Sequence, residues 1–234
     1  MNSGELLYSG KAKSVYATKD GDEVIMVFRD DITAFDGGKK DTISMKGSFN
    51  ARVSAFLFDY IGKSGIRTHF VEMINDSSML VKQLDMIPLE VIVRNIAAGS
   101  LVRNYPFREG TRLSPPIIVI DYKDDTLHDP MLNDDIILAL GLVSADELDT
   151  IRQMARDINN LLVALFESVG ITLVDFKVEF GRYNNEIYLG DEISMDSMRL
   201  WDSSTGESLD KDVYRFEKGD VMEVYRRVAE KILN

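Results

Sequence analysis

The chain has 234 residues, 45% of them hydrophobic, enough to bury a substantial core as one large domain or as two small lobes sharing a cleft. Its 39 acidic against 27 basic residues give a net charge of −12, which argues against a nonspecific grip on nucleic acid or anionic lipid; any phosphate must be held by a local basic cluster. The lack of cysteine excludes a disulfide, a thiolate nucleophile and cysteine-ligated zinc, and with only two histidines, His69 and His128, a metal would be held by carboxylates, which favours magnesium or manganese.

The N-terminal stretch MNSGELLYSGKAKS has no apolar core of the signal-peptide kind. The longest apolar run, Ile136 to Val143, is far short of the ~20 residues a membrane span needs, so a cytoplasmic protein is expected. Apolar runs over 6–18 and 23–28, with Asp20-Gly21 between them, read as strands joined by a hairpin turn. From Lys46 to Gly65 apolar residues recur at three and four (Phe49, Val53, Phe56, Leu57, Tyr60, Ile61), which predicts a helix that Gly62 or Gly65 can end. Strands follow over 68–74, 79–84 and 89–93. A boundary near Asp85 separates residues 1–85, rich in hairpins, from residues 86–234, where element types mix. A strand opened by prolines covers 115–123. The segment Ser144 to Gly170 carries a capping box, Ser144 with Glu147, and one apolar face from Leu148 to Val169, so a long helix is predicted. A hairpin over 171–194 and a short helix from Asp220 to Leu233 complete the chain.

Several stretches carry chemistry. In EVIVRNIAAGSLVRN, a strand delivers Arg94 and then a small-residue turn with Gly99 and Ser100, followed by Arg103; a guanidinium fork, close backbone approach and a hydroxyl suit an anion. In LVDFKVEFG, alternation puts Val174, Phe176, Val178 and Phe180 on one face and Asp175, Lys177 and Glu179 on the other, a pattern that also fits a solvated strand. The return strand ends in Asp191-Glu192. A two-residue turn at Asn184-Asn185 would set Glu179 opposite Gly190 and leave Asp191 on the apolar face, whereas a three-residue loop or bulge would bring Asp191 opposite Glu179. The three-residue loop or bulge is expected, giving a paired carboxylate site for magnesium. Lys11 and Lys13 share one face beside Gly10. This is no Walker A loop, because Lys11 is followed by Ala12, but a strand could present both lysines to a polyphosphate. ITAFDGGKKD is a glycine-bearing turn with Asp36, HDPMLND places His128 and Asp129 in a loop before a helix, and DSMRLWD sets Arg199 beside the only tryptophan, Trp201.

Taken together, GKAK (10–13), IPLEVIVRNIAAGS (87–100), HDP (128–130), LVDFKVEFG (173–181) and LGDEISMDSMRLWD (189–202) resemble the SAICAR synthetase (phosphoribosylaminoimidazole-succinocarboxamide synthase) family, in order, from near Tyr8 to Asp202. The resemblance implies an ATP-dependent ligase of purine biosynthesis. It would join carboxyaminoimidazole ribonucleotide (CAIR) to L-aspartate and release ADP and phosphate. The implied fold is α+β in two lobes: a smaller N-terminal antiparallel-sheet lobe resembling the nucleotide lobes of kinases and ATP-grasp enzymes, and a larger C-terminal α+β lobe, with ATP in the cleft. Lys11, Ala12 and Lys13 would hold ATP phosphates, and Lys82, Leu84 and Met86 would line the adenine. Glu179 and Asp191 would bind Mg2+, and Asp129 would help place a second ion. Arg94 and Ser100 would bind the ribonucleotide, and Arg199 its 5′-phosphate. Asp175 and Lys177 would sit beside the reacting carboxylate, Asp175 as an acceptor for the amine proton. Asp36 would belong to the aspartate or ribonucleotide pocket. The resemblance also suggests a homodimer or larger assembly, with no nucleic acid or membrane partner. A small-molecule kinase and an inactive nucleotide-binding module are the rival readings.

Overall fold

The structure is a computed structural model that describes residues 4–19, 21–34 and 38–233. The first part of the chain contains β1 (Leu6–Ser9), β2 (Lys13–Ala17), β3 (Glu23–Phe28), β4 (Asp31–Ala34), β5 (Lys39–Thr42), α1 (Lys46–Lys63), β6 (Phe70–Asn75) and β7 (Ser78–Lys82). Then come β8 (Asp85–Ile96), α2 (Ser100–Asn104), β9 (Arg112–Tyr122), β10 (Met131–Leu132), α3 (Asp134–Ala139) and α4 (Ala145–Ser168). The last elements are β11 (Ile171–Tyr183), β12 (Glu186–Gly190), β13 (Met198–Asp202), α5 (Asp212–Arg215) and α6 (Val221–Leu233).

Two antiparallel sheets and one separate hairpin organise these elements. The first sheet runs β1-β2-β3-β7-β6, the second β10-β9-β8-β11-β12 with β13 also on β11, and among the described residues β4 pairs only with β5. The fold is thus mixed α and β with antiparallel sheets. The first sheet ends at Lys82 and the second starts at Asp85, where the sequence changes character. The two sheets nevertheless touch: the His69 amide donates to the Leu189 carbonyl (2.9 Å), and α1 packs on α6.

Local chemistry explains the helices. Met45, which precedes α1, is left-handed and offers no side-chain cap. Asp30 supplies the cap from a distance, accepting from the Met45 and Gly47 amides at 3.2 and 2.9 Å. A Cβ at Gly47 would stand 2.7 Å from the Phe28 carbonyl oxygen, so this glycine lets the start of α1 lie against β3. Helix α4 begins as expected: the Glu147 amide donates to Ser144 Oγ (3.2 Å) and the Ser144 amide to Glu147 (2.8 Å), while Leu148, Ile151, Ala155, Ile158, Leu162 and Phe166 are all buried.

Four expectations need correction. The first apolar run divides into β1 and β2 at Gly10, whose amide donates to the Lys13 carbonyl (2.9 Å). The β4–β5 hairpin lies where only a glycine turn was read, and Asp36 is outside the described residues, as is Asp20 of the expected β2–β3 turn. The proline strand starts three residues early, at Arg112. Lastly, Met198–Asp202 is a strand on the N-terminal half of β11, with a register shift between Leu173 and Asp175. That shift puts Leu173 in the main core with Phe176, Val178 and Phe180, and moves Val174 to a small cluster with Ile96, Ala98 and Trp201.

Candidate functional site

The site is built on one face of the second sheet, where the register aligns charges in rows. One row reads Asp121 (β9), Glu90 (β8), Glu179 (β11) and Gly190 (β12). Four residues along β8, a second reads Arg94 (β8), Asp175 (β11) and Arg199 (β13). Lys177 and Ile92 occupy the row between. Alternating residues of a strand share a face at roughly 7 Å spacing, so an acidic row and an arginine row lie about 13 Å apart along one sheet.

The arginine row is a buried alternation of charge. Arg94 Nη1 donates to Asp175 Oδ2 (3.1 Å), and Arg199 Nη1 donates to both Asp175 oxygens (3.1 and 2.9 Å). Beyond Asp175, Arg94 Nη2 reaches Ser100 Oγ (2.9 Å) and Arg199 Nε reaches Asp212 (3.0 Å). Burial lowers the Arg94 pKa, whereas the Asp175 and Asp212 carboxylates outweigh burial and raise that of Arg199. Gly99 has φ 58°, and a Cβ there would meet the Arg199 guanidinium at 2.6 Å, so the small-residue turn closes over Arg199 only as glycine.

At the acidic row, like charges stand opposite each other and lysines compensate them. Lys177 Nζ donates to Glu90 and to Glu179 Oε1, both at 2.7 Å, and Lys123 holds Glu179 Oε2. Lys13 Nζ donates to Asp191 (2.7 Å) and lies 3.5 Å from Glu192. Burial opposes charge on Lys13 and Lys177, but the neighbouring carboxylates prevail and hold both above the ordinary lysine value. Burial likewise opposes charge on Asp191, and Lys13, Lys177 and Lys123 together hold it below the carboxylate range.

The β11–β12 register corrects the expected loop. Tyr183 pairs with Glu186 across a two-residue turn, Asn184 and Asn185 both have positive φ, and Glu179 faces Gly190. Asp191 reaches the site by another device. It follows the last residue of β12 with φ 57°, which turns its carboxylate out of the strand alternation and onto Lys13.

Two cavities open on this face. The larger, about 970 Å³, is lined by Gly10, Lys11, Ala12 and Lys13 from the first sheet and by Lys177, Glu179 and Asp191 from the second. The smaller, about 460 Å³, is lined by Arg94, Ser100, Asp121 and His128. Glu90 and Asp129 line both, so the cavities adjoin there. Arg29 fastens the lysine loop, donating to the Gly10 and Lys13 carbonyls at 2.5 and 2.9 Å, and Lys11 pairs with Asp125 at 2.7 Å.

The structure therefore gathers Lys11, Ala12, Lys13, Lys177, Glu179, Asp191 and Asp129 around one cavity and Arg94 and Ser100 around the next. Arg199 and Asp175 line neither; Asp175 lies between Arg94 and Arg199. Lys82, Leu84 and Met86 also line neither, and Leu84 and Met86 lie against Gly181 and Gly190. Sequence reasoning missed Arg29, Glu90, Asp121, Lys123 and Asp212. Glu90 and Asp121 become visible only when β8, β9 and β11 are set in register.

As for a metal, no three His, Asp or Glu side chains among the described residues form a cage. Glu179 and Asp191 on one cavity are the donor set magnesium takes when one or two carboxylates share it with water and substrate phosphate.

Asp121 gives a pH-dependent prediction. Burial and the Glu90 carboxylate raise its pKa from 3.8 to about 6. The folded state then binds this proton more tightly than the unfolded state, so stability is lost as pH rises from about 4 to 6. Asp121 is partly exposed, which discounts the effect; Asp121→Asn is expected to stabilise the chain by ~1 kcal/mol at pH 8 and by almost nothing at pH 4, read by urea unfolding at both. An equal change at the two pH values would refute the assignment.

Comparison with known proteins gives the family. The family model described as SAICAR synthetase matches residues 6–232. A phosphoribosylaminoimidazole-succinocarboxamide synthase of Methanoregula boonei is 66% identical over 232 residues, 99% of this chain and 91% of that protein. The crystal structure of the enzyme of that name from Ehrlichia chaffeensis superposes with a TM-score of 0.95 at 45% identity, covering 97% of this chain and 98% of the other. A SAICAR synthetase in complex with ADP superposes with a TM-score of 0.94 at 47% identity, covering 97% of each chain.

Proposed function

The chain belongs to the SAICAR synthetase family, and from that premise we propose how its residues serve the family's reaction, the ATP-dependent joining of CAIR and L-aspartate in purine biosynthesis with release of ADP and phosphate. The observation that carries the reading is the pair of charge rows on one sheet face, acidic beneath the lysine loop and arginine-rich beyond it, with adjoining cavities over them.

A carboxylate is a poor acyl donor, and phosphorylating it with ATP creates a leaving group. The protein's work is then positioning and charge neutralisation, with no side-chain nucleophile required. Lys11, Ala12 and Lys13 hold the ATP phosphates. Lys82, Leu84 and Met86 line the adenine; the contacts of Leu84 and Met86 with Gly190, one residue before Asp191, support this, because a base lying there directs its phosphates toward the acidic row. Glu179 and Asp191 hold Mg2+, which supplies charge neutralisation at the transferring phosphoryl group. Asp129 lies where the two cavities adjoin, the place for a second ion.

Arg94 and Ser100 hold the ribonucleotide, and Arg199 takes its 5′-phosphate. Asp175, with both oxygens on guanidinium groups, positions these arginines, in place of the proton-accepting role expected from sequence. Lys177, between the rows, lies beside the reacting carboxylate. Asp36, outside the described residues, is assigned to the aspartate or ribonucleotide pocket on the family resemblance alone. The two sheets form the two lobes, divided near Asp85, with the first resembling kinase and ATP-grasp nucleotide lobes. No helix among the described residues is long and apolar enough to cross a membrane; family resemblance supports a cytoplasmic homodimer or larger assembly.

The test is ADP release with ATP, Mg2+ and CAIR, with and without L-aspartate, while mass spectrometry follows the succinocarboxamide. Product formed in step with ADP and only with aspartate is expected. ADP without that product would overturn the ligase in favour of a kinase.

A further inference from the structure

Glu179 has a side chain only 1% exposed, and both its oxygens are taken by ammonium groups, Oε1 by Lys177 and Oε2 by Lys123. Around it, Lys13, Lys123 and Lys177 meet Glu90, Glu179, Asp191 and Glu192, three positive charges against four negative. A carboxylate so buried must be paired, and here lysines provide the pairing that a cation would. The three lysines are not equivalent. The side chains of Lys13 and Lys177 are 11% and 28% exposed and each is shared between two carboxylates, whereas Lys123 is 40% exposed and, among the described residues, pairs with Glu179 alone. Lys123 directly follows β9, so its side chain can leave Glu179 without disturbing the sheet.

We propose that Lys123 is an exchangeable counter-ion that moves from Glu179 to a nucleotide phosphate when a divalent cation takes its place, so that metal and nucleotide enter the cleft as a coupled pair. The proposal rests on reading Glu179 as a metal ligand. A divalent cation alone displaces Lys123 from Glu179 with no nucleotide phosphate to receive it, and its binding is opposed. A nucleotide alone meets lysines already engaged by carboxylates. Together each supplies the partner the other's arrival displaces, which is positive coupling between two ligands and must be reciprocal.

The test measures Mn2+ binding by the electron paramagnetic resonance of the free ion, with and without ADP, and ADP binding by calorimetry, with and without Mn2+. For Lys123→Met the expected result is about tenfold tighter Mn2+ binding without nucleotide, and at least a tenfold loss of the enhancement that each ligand gives the other. Lys123→Arg keeps the charge and should retain most of the coupling; Lys123→Gln repeats the test if the methionine variant does not fold. A lysine with a purely structural role would weaken both ligands together. Unchanged or weaker Mn2+ binding without nucleotide in the folded variant overturns the exchange. Glu179→Gln separates the two levels of the argument: if it retains the ADP-dependent Mn2+ site, the metal reading and the exchange both fail, and if it loses that site while Lys123→Met behaves like the parent, only the exchange fails.

Discussion

Glu179→Gln is expected to slow ligation by on the order of a thousand-fold, while the chain stays folded. The side chain keeps its size and one carbonyl oxygen for lysine to donate to, so packing beneath the cavity is preserved. What it loses is the charge on which Lys123, Lys177 and, in the proposed mechanism, magnesium all converge. Removing it leaves three carboxylates against the three lysines, where there were four, and no anionic metal ligand on β11. The measurement is kcat for succinocarboxamide formation at saturating substrates, beside a thermal melt. A rate within tenfold of the parent would show that Glu179 holds the lysines for a structural reason only.

Asp175→Ala is expected to destabilise the chain by about 3 kcal/mol and to raise the KM for the ribonucleotide. The carboxylate is 3% exposed and lies between two guanidinium groups that face each other once it is gone. Breaking a buried ion pair by removing one partner typically costs ~3–5 kcal/mol, because the uncompensated charge stays behind, and the second aspartate on Arg199, Asp212, moderates that cost. Urea unfolding reads the first effect and initial rates against ribonucleotide concentration the second. If stability falls and KM does not, the arginine row is a structural brace rather than the phosphate grip.

Much of this arrangement is legible in the amino-acid order because it is local. The capping box and apolar face of α4, the alternation Asp175, Lys177, Glu179 and the lysine pair beside Gly10 each reside within one element, where spacing alone decides which side chains share a face. The β11–β12 register was misread for a physical reason. Strand alternation admits Asp191 to the site only by pairing, but pairing ends at Gly190 and one left-handed residue re-aims the side chain, an outcome a period of two does not contain. Val174 left its stripe at the bulge opposite β13 in the same way. Lys123, Arg29 and Asp212 were invisible for another reason: each is an ordinary charged residue near the end of an element, and its role comes from what a distant strand places beside it.

The joint between Lys13 and Asp191 spans 178 residues of sequence. At synthesis rates of about 5–20 residues per second, the lysine loop leaves the ribosome roughly ten seconds or more before the carboxylate it pairs with exists. Lys46, at the start of α1, waits similarly for Asp196, which also receives the hydroxyl of Tyr225 on α6. A nascent chain thus displays Lys13 and Lys46 early and gains their carboxylate partners near the end. In the proposed mechanism, the growing polypeptide has no means of spending ATP until Asp191 has been made.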